Sequence, residues 1–139
     1  MKEYKKPLPK PTPWSKPFWD GCKRHELFIQ KCKDCKNPIF YPKLFCPHCL
    51  SPNLEWVKAG GRGKVYSYTV VHSYAPTEFS EDIPYIVAVI ELQEGVRLMS
   101  NIVGCLPETV KCDMEVEVIF DDVTKEITLP KFKPVLSKD

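Results

Sequence analysis

Two C-x-x-C pairs, Cys32-Lys33-Asp34-Cys35 and Cys46-Pro47-His48-Cys49, stand ten residues apart, and a glycine-rich joint and five β-rich runs follow them. Together these features predict a mainly β chain: an N-terminal helix and rubredoxin-like zinc ribbon over 18–61, then a five-stranded OB-fold barrel over 62–139. A proline-rich arm over 1–17 precedes both.

The cysteines set the chemistry of the first module. Each C-x-x-C turn can aim two sulfurs at one point about 2.3 Å away, so Cys32, Cys35, Cys46 and Cys49 complete the tetrahedral shell of one structural zinc per chain. A closed four-sulfur shell leaves no position for water, which points to a scaffold and away from zinc-dependent hydrolysis. Iron suits the same geometry, as in rubredoxin, but nothing near the cysteines suggests an electron-transfer partner. A disulfide framework needs an oxidising compartment, and Met1-Lys2-Glu3-Tyr4 opens a lysine- and proline-rich stretch with no apolar signal region. Seven cysteines, an odd number, also fit reduced thiols, so a cytoplasmic setting is expected. Cys22, Cys105 and Cys112 lie outside the spacing and are read as packing residues before nucleophiles.

In the arm, Pro7, Pro9, Pro11, Pro13 and Pro17 resist helix and sheet and favour extended chain. Trp14, Phe18 and Trp19 then bring more aromatic surface than an uncovered arm should expose; they pack either on the chain's own ribbon or on a partner. Ser15 as N-cap, Pro17 near the first turn, and apolar residues at helical spacing predict a helix over 16–27, against the tendency of Gly21. Between the knuckles, Pro38 to Pro42 and Leu44-Phe45 read as short extended pieces, and Asn37 as a residue that tolerates the left-handed turn. Leu54 to Val57 is the expected partner strand. Gly60-Gly61-Arg62-Gly63 reads as a hinge or bulge, since it lacks the GK[ST] ending of a phosphate-binding loop.

The barrel strands are expected at Lys64–His72, Tyr85–Leu92 (buried on both faces), Val96–Val103 after the Gln93-Glu94-Gly95 turn, Glu115–Phe120 and Glu126–Pro130. The interruption at Pro107 to Val110 falls where an OB-fold often places its helix. Ala75 to Pro84 is long for a hairpin loop and is a candidate functional loop.

Charge narrows the partners. The net charge of +2 divides unevenly: residues 1–61 hold 12 Lys and Arg against 5 Asp and Glu, and residues 62–139 hold 8 against 13. A nucleic-acid-binding OB and zinc-ribbon module is the alternative reading, with Tyr66, Tyr68 and Tyr85 as stacking residues, but an acidic barrel opposes a phosphate backbone. No run approaches the ~20 apolar residues of a membrane-spanning helix.

Taken in order, Phe18-Trp19, Glu26 to Cys32, Cys35, Cys46-Pro47-His48-Cys49, Gly61-Arg62-Gly63-Lys64-Val65-Tyr66-Ser67-Tyr68-Thr69-Val70-Val71-His72, Pro84 to Leu92 and Glu94 to Leu98 resemble the domain-of-unknown-function 35 family of zinc-ribbon plus OB-fold proteins. The resemblance runs from about Trp14 to Val135. It implies a small accessory subunit of a thiolase-fold acyl-CoA enzyme, in a hetero-oligomer such as a heterotetramer, with acyl-CoA or coenzyme A held jointly with the partner. The chain's own residues agree, because no nucleophile, base and orienting group can be assembled; His25 is placed in the helix, His48 in a knuckle, and only His72, beside the long loop, is kept as a ligand-facing candidate. No catalytic residue is therefore assigned. On the coenzyme A reading, Arg62, Lys64 and Arg97 are the cations closest to glycine-rich or turn backbone and become the candidate phosphate contacts, weighed against ordinary solvation.

Overall fold

The computed structural model describes residues 6–73, 77–79 and 82–135. The start of the arm and, within the Ala75 to Pro84 loop, residues 75–76 and 80–81 lie outside the described residues.

The helix is shorter than its periodicity predicts. It spans Lys16–Lys23 (α1), and His25 stops it by adopting φ 60°. The N–H groups of His25 and Glu26 then close back on the carbonyls of Cys22 and Gly21, each at 2.9 Å, so His25 lies in the turn and not in the helix. Gly21 has a steric reason: a Cβ there would come within 2.5 Å of the Phe28 ring on the next strand. Ser15 does not cap the helix, because its hydroxyl is engaged by the N–H of Thr12 at 2.8 Å.

Three antiparallel strands form the ribbon sheet: Phe28–Cys32 (β1) is central, between Pro38–Ile39 (β2) and Leu54–Lys58 (β3). The second sheet is a closed barrel of Arg62–Val71 (β4), Tyr85–Leu92 (β5), Arg97–Ile102 (β6), Glu115–Asp122 (β7) and Thr128–Pro134 (β8) in the order β4-β5-β6-β8-β7. The last strand starts two residues later than expected. The Thr124 hydroxyl accepts hydrogen bonds from the N–H groups of Glu126 and Ile127 at 3.2 and 3.0 Å, which holds those two residues in the turn. Between β6 and β7 only a 3₁₀ turn forms, at Pro107–Thr109.

One apolar core joins the modules. Phe18, Cys22, Leu27 and Ile29 from the helix and ribbon are buried together with Val65, Ile90, Val116 and Phe132 of the barrel. Phe18 also meets Trp19 edge to face at 4.8 Å and Phe40 at 5.4 Å, so two of the three early aromatics pack on the chain itself, while Trp14 stays exposed. The glycine joint is packed rather than hinge-like: a Cβ on Gly61 (φ 81°) would come within 2.5 Å of Val118, and one on Gly63 would overlap the Glu91 carbonyl. The bulge lies further on, where the β4–β5 register shifts between Val65 and Ser67. Strand β5 is buried on one face only. Ile86, Ala88, Ile90 and Leu92 point into the barrel, and Tyr85, Val87 and Val89 are half-buried on its outside.

Candidate metal centre and candidate phosphate contacts

The two knuckles are built alike. The residue after each second cysteine, Lys36 (φ 67°) and Leu50 (φ 65°), is left-handed. Its N–H bonds the carbonyl of the first cysteine, Lys36 to Cys32 at 3.0 Å and Leu50 to Cys46 at 2.8 Å. The N–H of each first cysteine in turn reaches five residues on, Cys32 to Asn37 at 3.0 Å and Cys46 to Ser51 at 2.9 Å. The left-handed position assigned to Asn37 therefore belongs to Lys36. Asn37 has a different task, donating its side-chain amide to the Cys35 sulfur at 3.3 Å.

These turns bring all four sulfurs within 4.8 Å of one another. Cys32 and Cys49 are 3.6 Å apart and Cys35 and Cys46 3.5 Å apart. A tetrahedron of 2.3 Å metal–sulfur bonds spaces its sulfurs about 3.8 Å apart, so the donor set fits zinc with little adjustment. Backbone N–H groups of Cys35 and His48 also point at the Cys32 and Cys46 sulfurs, both at 3.4 Å. The backbone N–H of Asn37 leads in pulling the Cys35 thiol down to about 6. Cys49 is pulled down by the Ser51 N–H, but burial and the neighbouring thiols outweigh that and push it up to about 12. Four thiols this close together are a donor set whose protons a divalent cation would displace.

Two side chains missed in the sequence brace this centre. Gln30, only 4% exposed, accepts from the Lys43 N–H at 2.7 Å and donates to the Lys43 carbonyl at 3.0 Å, clamping the loop between the knuckles to β1. Asp34 accepts from the Ser51 hydroxyl and from Asn53 Nδ2 at 3.2 Å, tying the first knuckle to the end of the second. Ser51 and then Asn53 hold its carboxyl below the usual range. The signal in the sequence was weak: an amide between Ile29 and Lys31 in a strand read as part of the ribbon.

The other predicted residues are dispersed. Cys22 is buried in the core, where desolvation pushes its thiol up to about 12, and this suits packing and not nucleophilic attack. His25 sets Nε2 3.1 Å from both oxygens of Asp122 and stacks on Phe120, tying the helix terminus to β7. His48 and His72 are exposed.

The three candidate phosphate contacts share the outer face of the barrel but differ in their neighbours. Arg62 and Lys64 line one cavity of about 310 Å³. Arg97 bonds Glu91 at 3.0 Å and lies 3.8 Å over the Tyr66 ring. Lys64 stands between Glu91 and Glu115 in the strand register. Arg62 makes a long 3.6 Å contact with Glu117, which also faces Lys133 at 3.7 Å.

The zinc ribbon domain of ChsH2, described as rubredoxin-like, matches residues 19–55, and the ChsH2 C-terminal OB-fold domain matches residues 56–121. The chain belongs to the ChsH2 zinc-ribbon and OB-fold family, the DUF35 proteins. A "DUF35 domain-containing scaffold protein" of Methanocaldococcus jannaschii is 40% identical over 119 residues, covering 81% of this chain and 84% of that one. A "Probable enoyl-CoA hydratase alpha subunit" of Thermomonospora curvata is 39% identical over 123 residues, covering 88% of this chain; this chain spans only 38% of that protein's length. "Benzoylsuccinyl-CoA thiolase subunit BbsA" of Geobacter metallireducens is 33% identical over 88 residues, covering 63% of this chain and 57% of that one. Among solved structures, the DUF35 fold here superposes on a chain of "Ltp2-ChsH2(DUF35) aldolase" with a TM-score of 0.83 and 37% identity, over 91% of this chain and 98% of the other.

Proposed function

We propose that this chain is an accessory subunit of an acyl-CoA enzyme of the thiolase-fold class, folded around a structural zinc held by Cys32, Cys35, Cys46 and Cys49. The observation that carries this reading is the near-complete superposition on the DUF35 chain of an aldolase complex, over 98% of that chain. The names of the scaffold and thiolase-subunit relatives support it. In this reading the partner supplies the nucleophile and this chain supplies assembly and positioning, which can account for a large part of a rate enhancement without any covalent step.

Joint binding of acyl-CoA is the finer part of the proposal. Coenzyme A presents phosphates, and a guanidinium can bind them in bidentate fashion. Arg62 is the first residue to test, because Arg97 is engaged by Glu91 and Tyr66 and Lys64 is flanked by two carboxylates. Titration of coenzyme A into the assembled complex should show a loss of about 1–3 kcal/mol for Arg62→Ala and a smaller one for Arg97→Ala. Equal affinity in wild type and both variants would leave the cofactor to the partner.

The subunit reading itself is tested by purifying the chain from its source cells and identifying what comes with it. A thiolase-fold enzyme at fixed stoichiometry is the expected result. Recovery of the chain without such an enzyme, or with nucleic acid, would refute it.

A further inference from the structure

The four cysteines share one centre but not one environment. Cys32 ends strand β1, and Cys35 stands three residues before β2, so the first knuckle is built into the ribbon sheet. The second knuckle stands in residues 40–53, a stretch without a strand. Cys32 and Cys46 are fully buried and Cys35 is half-buried, whereas Cys49 is exposed beside Leu50, itself 77% exposed.

Different devices hold the two ends of that stretch. At the Cys46 end, the buried Gln30 amide takes both backbone groups of Lys43, at 2.7 and 3.0 Å. At the Cys49 end the fastening is exposed and centres on a single carboxylate oxygen. Asp34 Oδ2 accepts from the Ser51 hydroxyl and, at 3.2 Å, from Asn53 Nδ2. The Ser51 hydroxyl oxygen in turn accepts from the Asn53 N–H at 3.1 Å, and the Lys33 N–H donates to the Asn53 carbonyl at 2.8 Å. Asp34 lies between the two cysteines of the first knuckle, so this latch ties one knuckle to the other without passing through the metal.

We propose that zinc enters and leaves this centre on the Cys49 side, with Asp34 as the positioning residue that holds Cys49 in place. Four-point chelation is lost stepwise, and each freed sulfur either rebinds or moves away. The sheet holds Cys32 and Cys35 and the Gln30 clamp holds Cys46, so Cys49 is the sulfur that lets go first and that solvent reaches. While Asp34 grips Ser51, two residues beyond Cys49, a released Cys49 stays at high effective concentration and rebinds. Without that grip, residues 47–52 swing out on the Lys43 clamp and exchange is fast. The inference rests on the zinc centre proposed above, and zinc content at the start of each run reports on that centre separately.

Two measurements on the full-length zinc-loaded chain test this. In the first, limiting iodoacetamide labels the wild type, each thiolate displacing iodide to form a thioether, while peptide mass spectrometry ranks the cysteines and a chromogenic chelator follows zinc. Cys49 should be labelled ahead of Cys32, Cys35 and Cys46, with zinc release in step with it. Cys112, exposed and outside the centre, should be labelled without zinc release. In the second, zinc transfer to excess chelator is timed, with circular dichroism as the control for folding. Asp34→Ala and Ser51→Ala should each speed transfer, Asp34→Ala roughly tenfold or more. Asp34→Asn should stay close to wild type, because its one amide oxygen can accept both hydrogen bonds that Oδ2 accepts. Labelling of any other cysteine of the centre before Cys49 would overturn the proposal. So would folded Asp34→Ala and Ser51→Ala variants that release zinc at the wild-type rate, or an Asp34→Asn variant as fast as Asp34→Ala.

Discussion

Gln30 is the clearest case of one side chain setting the shape of a segment that has little regular structure. Its amide meets both backbone groups of Lys43, and at 4% exposure no water replaces either bond. Gln30→Ala should therefore lower stability by about 1–3 kcal/mol, measured by denaturant unfolding of the zinc-loaded chain, with zinc stoichiometry unchanged. The cysteines act more absolutely. Since metal binding here is folding free energy, Cys46→Ser should abolish stoichiometric zinc and the folded yield together, read by metal analysis and circular dichroism. Acid has the same direction of effect, because protons compete for thiolates and zinc is released as pH falls. Asp122 adds a smaller acid sensitivity. The Thr128 hydroxyl and then His25 hold its carboxyl below its ordinary 3.8, so its contribution is present above that value and disappears as pH falls through the lower folded one. The four-cysteine cluster was legible because C-x-x-C spacing is itself the geometry of a knuckle. Lys36 was not legible as the left-handed residue, since lysine has no local preference for that conformation and takes it only because the Lys36 N–H bonds Cys32 and the Asn37 carbonyl accepts from the Cys32 N–H.

Elements were easier to place than to delimit. Strands β4 to β7 stand close to where β-branched and aromatic runs put them, since such runs are short, apolar and bounded by turns. The boundaries that moved did so for reasons outside their own periodicity: α1 stops at Lys23 because the chain must turn at His25 into β1, and β8 starts at Thr128 because the Thr124 hydroxyl holds the preceding two residues. The joint at 60–63 reads locally as a hinge, yet Gly61 and Gly63 are required by close approach between strands, which only the pairing of β4 with β5 and the contact with Val118 reveal. Gly63→Ala tests this. A packed joint predicts a loss of more than about 1 kcal/mol in thermal or denaturant unfolding, from the overlap with the Glu91 carbonyl, whereas a free hinge predicts a neutral or slightly stabilising change.

At the scale of the whole molecule, one core runs from the helix through Leu27 and Ile29 into the barrel, and a second, small cluster of Cys32, Ile39 and Cys46 packs at the knuckles, so loss of zinc should act first on the ribbon. Among the described residues no helix is long and apolar enough to cross a membrane. The charge asymmetry, basic over 1–61 and acidic over 62–139, gives the two ends different partners to attract. Function at this scale was legible only through the family resemblance, because an accessory subunit acts through a surface and surfaces carry no fixed motif. The account rests most heavily on dependence of a partner's turnover on this chain. The direct measurement is a titration of the purified, zinc-loaded chain into the thiolase-fold enzyme proposed as its partner while acyl-CoA turnover is followed. The account predicts that turnover rises and saturates at a fixed ratio of the two chains, with none from this chain alone. Partner turnover that stays unchanged at every ratio, or turnover by this chain in isolation, would contradict it.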